Sequence, residues 1–239
     1  MHYHAAVGMV PLGGNTVFVR RDLLHHLNGW DQTCLTEDAD IGIRLSAMGV
    51  PIRVVYEDEH VTREETPPTV EQFIKQRTRW NQGFLQVLLK GHWLHLPTRT
   101  QRLMALYTLG FPLFQALMLV YVPISLWSIF YAKVAVLVAM ISVLPLYMLI
   151  IQLCISAVGL YEFTSVHGLR ASWMSLPRLL AAYMPYQWLL GYAALRAVWR
   201  QLRGVNTWEK TTHTGAHRGV ADFVPLHPIL EGQEHGARG

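Results

Sequence analysis

Acidic residues all but vanish from the second half of this chain. Between Glu71 and Glu209 only Glu162 carries a carboxylate, and of the 239 residues 15% are charged while 51% are hydrophobic. A soluble domain of this size needs a mixed, charged surface, so the deficit argues against a water-exposed second half and for burial in a membrane. Cysteine is scarce too: Cys34 lies in the first half and Cys154 inside an apolar segment. That pair argues against a disulfide, offers no zinc spacing and fits a reducing, cytoplasmic face. Met1-His2-Tyr3-His4 lacks the basic stretch and apolar core of a signal peptide. No internal repeat is visible, and His25, His26, His213 and His217 have no ligand spacing tied to a carboxylate. The formal charge of +4 and pI near 9.2 could suggest nucleic acid. The bases instead cluster at segment ends, at Lys75, Arg77, Arg79, Lys90, Arg99 and Arg102, then at Arg196, Arg200 and Arg203. Membrane flanks carry bases in that way, and nucleic acid is set aside as a partner.

Against that background two short elements stand out: Thr36-Glu37-Asp38, and downstream Gln76-Arg77-Thr78-Arg79-Trp80. Gln76, Arg79 and Trp80 are spaced i, i+3, i+4 and share one face of a helix. An arginine suits bidentate contact with phosphate, and an indole offers a flat apolar surface to a sugar ring. A carboxylate able to take a proton, a phosphate clamp and a sugar platform at a membrane surface together suit glycosyl transfer from a nucleotide sugar. Plainer readings exist for each part. Glu37, Asp38 and Asp40 could simply complement the dipole of a helix start. The Gln76–Trp80 helix could lie on anionic lipid with Trp80 as an interface anchor. Gly13-Gly14-Asn15 could be an ordinary turn or a place where backbone approaches a substrate closely.

The first hundred residues read as soluble α/β. Thr16–Val19 is a strand candidate, followed by a helix from Arg21 to Gly29. Thr36 can cap a helix from Glu37 to Met48, whose apolar Ile41, Leu45 and Met48 repeat at helical spacing before Gly49. Pro51–Tyr56 reads as a second strand, and Pro67-Pro68 opens the helix carrying Gln76 to Trp80. Leu103–Tyr131 and Val134–Leu160 are each long enough to cross about 30 Å of hydrocarbon, with Pro112, Pro123 and Pro145 predicting kinks or breaks. Glu162–Pro177 reads as an interfacial stretch, and Leu179–Val198, broken by Pro185, as a third apolar segment. Basic flanks before Leu103 and after Val198 both predict the cytoplasmic side, yet three crossings would separate them. Either the third segment is re-entrant or interfacial, or the charge rule fails here.

From Leu12 to Leu88 the chain resembles the C-terminal half of the catalytic domain of membrane-bound family 2 glycosyltransferases, the group of cellulose, chitin and hyaluronan synthases. The resemblance is carried by Gly13-Gly14-Asn15, Val19-Arg20-Arg21, Asn28-Gly29-Trp30-Asp31, Leu35-Thr36-Glu37-Asp38-Ala39-Asp40, Arg44-Leu45 and the Gln-x-x-Arg-Trp element, in that order. Glu64-Glu65-Thr66-Pro67-Pro68 before that last element is most like bacterial cellulose-synthase-like proteins.

The resemblance implies an α/β fold at residues 1–100, the acceptor and base half of a GT-A-type nucleotide-sugar domain. An all-α transmembrane region of two to three helices at 101–200 and a cytoplasmic tail or loop at 201–239 would follow. It places the catalytic base on Asp38, with Thr36, Glu37, Gln76, Arg79, Trp80, Gly14 and Asn15 as substrate-binding residues. Asn206-Thr207-Trp208-Glu209-Lys210-Thr211 resembles more loosely a loop that closes over nucleotide through Trp208, Lys210 and Thr211; a juxtamembrane linker is the other reading. The implied partners are a nucleotide-sugar donor, a glycan or lipid acceptor and the lipid bilayer. The implied location is the plasma membrane, multi-pass, with the catalytic half in the cytoplasm. A divalent metal, Mg or Mn, is implied as well, but its Asp-x-Asp ligands would lie before Met1, since no Asp precedes Asp22. The chain is therefore expected to be the C-terminal portion of an inverting polysaccharide-forming enzyme. Single-sugar transfer to a lipid, or a non-catalytic membrane subunit, are the alternatives.

Overall fold

Glycines and prolines punctuate the chain, and helices fill the intervals. The computed structural model describes residues 2–14, 16–55, 66–131, 138, 144–166, 168–169 and 172–209. Its helices are α1 (His2–Val7), α2 (Arg21–His26), α3 (Glu37–Ala47), α4 (Val70–Lys90), α5 (Arg99–Tyr131), α6 (Leu144–Val166) and α7 (Ser175–Leu202), with a 3-10 turn at His92–His95. Gly49 follows α3 and Gly91 follows α4, both in the left-handed region (φ 70° and 74°) that stops a helix cheaply only at glycine. Thr69, just after Pro67-Pro68, caps α4 by accepting a hydrogen bond from the Gln72 amide at 3.3 Å. Thr36 does not cap α3 with its side chain; the hydroxyl is packed against α4 instead.

The expected α/β fold is not what forms. Among the described residues there is no strand and no sheet. Residues 17–20 and 51–55 run without helix or ladder, and Tyr56 lies outside the described residues. The physical reason is pairing: an extended segment becomes a strand only when a neighbour satisfies its backbone amides and carbonyls, and neither segment finds one among the described residues. Where it is described, the GT-A-type half-domain expected for residues 1–100 is a set of helices joined by irregular chain.

That layer packs as one core. Met9, Cys34, Ile43, Val87, Leu96, Ala105 and Leu109 are buried together, which joins the N-terminal segment, α3, α4 and the start of α5. The 3-10 turn folds α4 back on α5, secured by the Trp93 Nε1–H donating to Leu88 O at 2.9 Å and Arg102 Nε donating to Leu96 O at 2.8 Å. Gln101 on α5 donates to Val7 O and Gly8 O, at 3.0 and 3.1 Å. α7 lies along both α4 and α5. Thr78 Oγ1 donates to Ala193 O at 3.3 Å, and a side chain at Gly191 would come within 3.0 Å of Leu119.

Among the described residues two helices are long and apolar enough to cross a membrane, Arg99–Tyr131 and Tyr147–Ser165. α5 runs on through Pro112 and Pro123, and α7 through Pro185, where breaks were expected. Pro145 is the second residue of α6, in the first turn where a missing amide proton costs nothing. The interfacial stretch expected from Glu162 divides between the end of α6 and the start of α7.

Gly42 shows how tightly α3 is held. A Cβ there would fall within 2.6 Å of Leu12 N and closer still to Val10 O. Backbone cannot yield as a flexible side chain can, so Gly42→Ala should destabilise the protein by about 1–3 kcal/mol. Gly110 on α5 has no atom within 4 Å of its Cβ position. Gly110→Ala should leave the melting midpoint in detergent unchanged or raised, while Gly42→Ala lowers it.

Candidate functional site

Three carboxylates open α3, and the fold separates their roles. Asp40, 1% exposed, pairs with Arg44 Nε at 2.9 Å and with Lys90 Nζ at 2.9 Å. Lys90 also holds Asp31 at 2.6 Å, and with Thr33 it keeps that carboxyl well below the usual range. Asp38, two residues earlier, points about 200° away around the helix. It makes no ion pair among the described residues. One oxygen accepts the Ala39 amide at 2.8 Å. The other faces Gly14, where a Cβ would stand 3.2 Å from it. Half-burial pushes the Asp38 carboxyl pKa up, and the adjacent Glu37 carboxylate adds to this; the amide and the Arg79 charge act against it.

Gly83 brings α4 onto this turn. A Cβ there would collide with the Thr36 side chain, 2.5 Å from Oγ1. Gln76, Arg79, Trp80 and Gly83 share one face of α4 by helical period, and the contact at Gly83 brings Arg79 within electrostatic reach of Glu37 and Asp38. Arg79 is half-buried, and burial lowers its pKa while Glu37 and Asp38 raise it. Its Nε has no hydrogen-bond partner among the described residues, and its guanidinium lies 4.3 Å from the Trp208 ring centre. Trp80 is 38% exposed and meets the Arg77 guanidinium at 4.6 Å. Gln76 is half-buried. The structure thus assembles Gly14, Thr36, Glu37, Asp38, Arg79 and Trp208; Asn15, Lys210 and Thr211 lie outside the described residues.

The segment after α7 is fastened to α4 by residues that sequence reasoning missed. Buried Gln82 donates to Val205 O at 2.7 Å and accepts from Arg200 Nε at 2.9 Å. Gln86 donates to Asn206 Oδ1 at 3.1 Å and accepts the Leu35 amide at 2.8 Å. Arg196 and Arg200 both grip Glu209, at 2.5 and 3.1 Å. Two arginines on one carboxylate leave one positive charge uncompensated there, so the pairing with Glu209 reduces the basic flank without removing it. Glu209 being the first acid after Glu162 was the available signal, as was the i, i+4 spacing of Gln82 with Gln86 and of Arg196 with Arg200.

No group of three or more His, Cys, Asp or Glu side chains that could hold a metal occurs among the described residues. Glu37 and Asp38 beside the cationic Arg79 do not fit a divalent ion.

Residues 2–197 match the family described as glycosyl transferase family group 2. A probable glycosyltransferase of Bacillus subtilis is 34% identical over 82 residues, which cover 34% of this chain and 19% of that protein. The beta-monoglucosyldiacylglycerol synthase of Synechocystis is 27% identical over 245 residues, covering 87% of this chain and 43% of the relative. The poly-beta-1,6-N-acetyl-D-glucosamine synthase of Staphylococcus epidermidis is 29% identical over 111 residues, covering 46% and 26%. The chain therefore spans less than half the length of each of these relatives. No solved structure matches significantly. The family match runs from α1 into the last turns of α7, through both the carboxylate turn and the arginine–tryptophan helix, and this chain belongs to glycosyl transferase family group 2.

Proposed function

We propose that this chain is the acceptor and base half, with the membrane anchor, of an inverting, cellulose-synthase-like glycosyltransferase. It transfers a sugar from a nucleotide-sugar donor to a growing polysaccharide at the plasma membrane, with its catalytic half in the cytoplasm. One observation carries the reading: an unpaired, half-buried Asp38 with raised proton affinity shares a site with the half-buried guanidinium of Arg79, which forms no ion pair among the described residues. Asp38 takes the proton of the acceptor hydroxyl, whose oxygen attacks the anomeric carbon as the bond to the nucleotide diphosphate breaks. A positioned general base contributes roughly 10²–10⁴-fold. Arg79 and Gln76 hold the diphosphate, where negative charge develops. Trp80 stacks on the acceptor sugar, Gly14 and Asn15 let backbone approach substrate, and Thr36 and Glu37 shape the pocket. Trp208, Lys210 and Thr211 close over the nucleotide, a role supported by the Trp208 ring lying against Arg79.

Single-sugar transfer to a lipid is the second reading. It is favoured by the glucosyldiacylglycerol synthase aligning with 87% of this chain, against 46% for the polysaccharide synthase. Product length separates the two: one added sugar on supplied diacylglycerol supports the lipid reading, and an extending ladder supports the polymer.

Asp38→Asn in enzyme-bearing membranes should lower transfer at least 10²-fold and leave donor affinity nearly intact. Near wild-type turnover would make Asp38 a helix-start acid and sink this mechanism. Transfer should also fall as pH drops through the Asp38 pKa, because only the ionised carboxylate accepts the proton. Glu37→Gln removes the like charge that raises this pKa, so it should shift the acid limb to lower pH; an unmoved limb would break the assignment.

Sidedness can be read without activity. Trp208 touches Arg79, so the tail and α4 belong on one side of the bilayer, with an even number of crossings between Arg99 and Val205. Gly204 sits at φ 66°, so a label belongs on Val205. With Cys154→Ala as background, Val205→Cys should resist a membrane-impermeant thiol reagent in intact cells and react after permeabilisation.

A further inference from the structure

Arg77 is used by none of the roles above, and its surroundings are specific. Phe73, Arg77 and Trp80 are spaced i, i+4, i+7 and line one face of α4. The Arg77 guanidinium lies 5.2 Å from the Phe73 ring centre and 4.6 Å from that of Trp80. Phe73 in turn meets Tyr186 of α7, with ring centres 5.7 Å apart and planes inclined by 43°. Among the described residues Arg77 forms no ion pair, and its buried Nε has no hydrogen-bond partner. What holds this side chain is therefore its contact with the two rings, for which a planar, delocalised guanidinium is better suited than a lysine ammonium.

We infer that Arg77 is a positioning residue for Trp80, the link in a column from Tyr186 through Phe73 and Arg77 that sets the plane of the indole. The inference rests on the reading of Trp80 as the acceptor platform. An indole 38% exposed on a helix has several rotamers open to it. A cation over one ring face selects among them and leaves the other face for a sugar. The column also joins the platform to α7, which lies along α5, so a shift of α7 beside Pro185 would turn the indole.

The test labels the full chain with 5-fluorotryptophan in detergent micelles and follows the Trp80 line by 19F NMR, assigned by its loss in Trp80→Phe. Arg77→Met should shift and broaden that line while the other tryptophan lines and the melting midpoint stay unchanged, and Arg77→Lys should restore it in part. An unmoved Trp80 line overturns the inference, as does a general movement of all lines with a lowered midpoint, which would make Arg77 a structural support. In enzyme-bearing membranes Arg77→Met should raise the acceptor KM about 2- to 5-fold, with kcat and donor KM retained. If Trp80→Ala raises the acceptor KM and Arg77→Met does not, this inference alone fails. If Trp80→Ala has no effect, the acceptor reading fails while the 19F line still decides what positions the ring.

Discussion

Asp40 carries a negative charge into the interior, and its neutralisation orders everything around it. Leaving a buried carboxylate unpaired costs several kcal/mol, so α3 settles where Arg44 and Lys90 can both reach that group. Arg44 uses its remaining donors on Leu27 O and Gly29 O, at 2.7 and 2.8 Å, and Lys90 extends the cluster to Asp31. One charge thereby ties together the 27–31 loop, the first turns of α3 and the last turn of α4. Because residues two apart on a helix point in nearly opposite directions, turning Asp40 inward turns Asp38 toward the opening. Buried ion pairs are weak contributors to net stability, but a cluster with so few alternative partners specifies one arrangement of the elements.

Close contact at small residues does the rest of the alignment. Gly42 lets the 10–12 backbone lie against α3, and Gly83 lets Thr36 sit against α4. α4 then serves two surfaces at once. One face meets the carboxylate turn; Thr78, Gln82 and Gln86 on another meet α7 and the chain beyond it. Gln86 is the shortest connection between them, bonded to the Leu35 amide on one side and Asn206 on the other.

The electrostatics of the site follow from that arrangement. Arg79 is placed where burial disfavours its charge and nearby carboxylates favour it, so it is a cation awaiting fuller compensation. Asp38 is the counterpart, a carboxylate made a better proton acceptor by burial and by Glu37. The proposed roles of the two groups, an anion at Arg79 and an acceptor hydroxyl at Asp38, draw their support from these two opposite perturbations.

Much of this was legible along the chain, wherever the determining interaction is local. Gly49 and Gly91 mark helix ends because the left-handed backbone beyond them suits glycine. The common face of Gln76, Arg79 and Trp80 follows from helical period, and the scarcity of carboxylates after Glu71 marks the membrane-like half. Three things were decided only in three dimensions. The α/β expectation failed because strand formation depends on a partner that local propensity does not supply, and residues 17–20 and 51–55 have none among the described residues. Asp38 and Asp40, both carboxylates in one turn of sequence, part into a free group and a buried ion pair according to which faces Lys90, fifty residues away. That Glu209 folds back onto Arg196 and Arg200, thirteen and nine residues earlier, is visible only in the packed structure. Sequence sets the conformations available within a few residues; which charges meet, and which is left free to react, is set by how the helices pack.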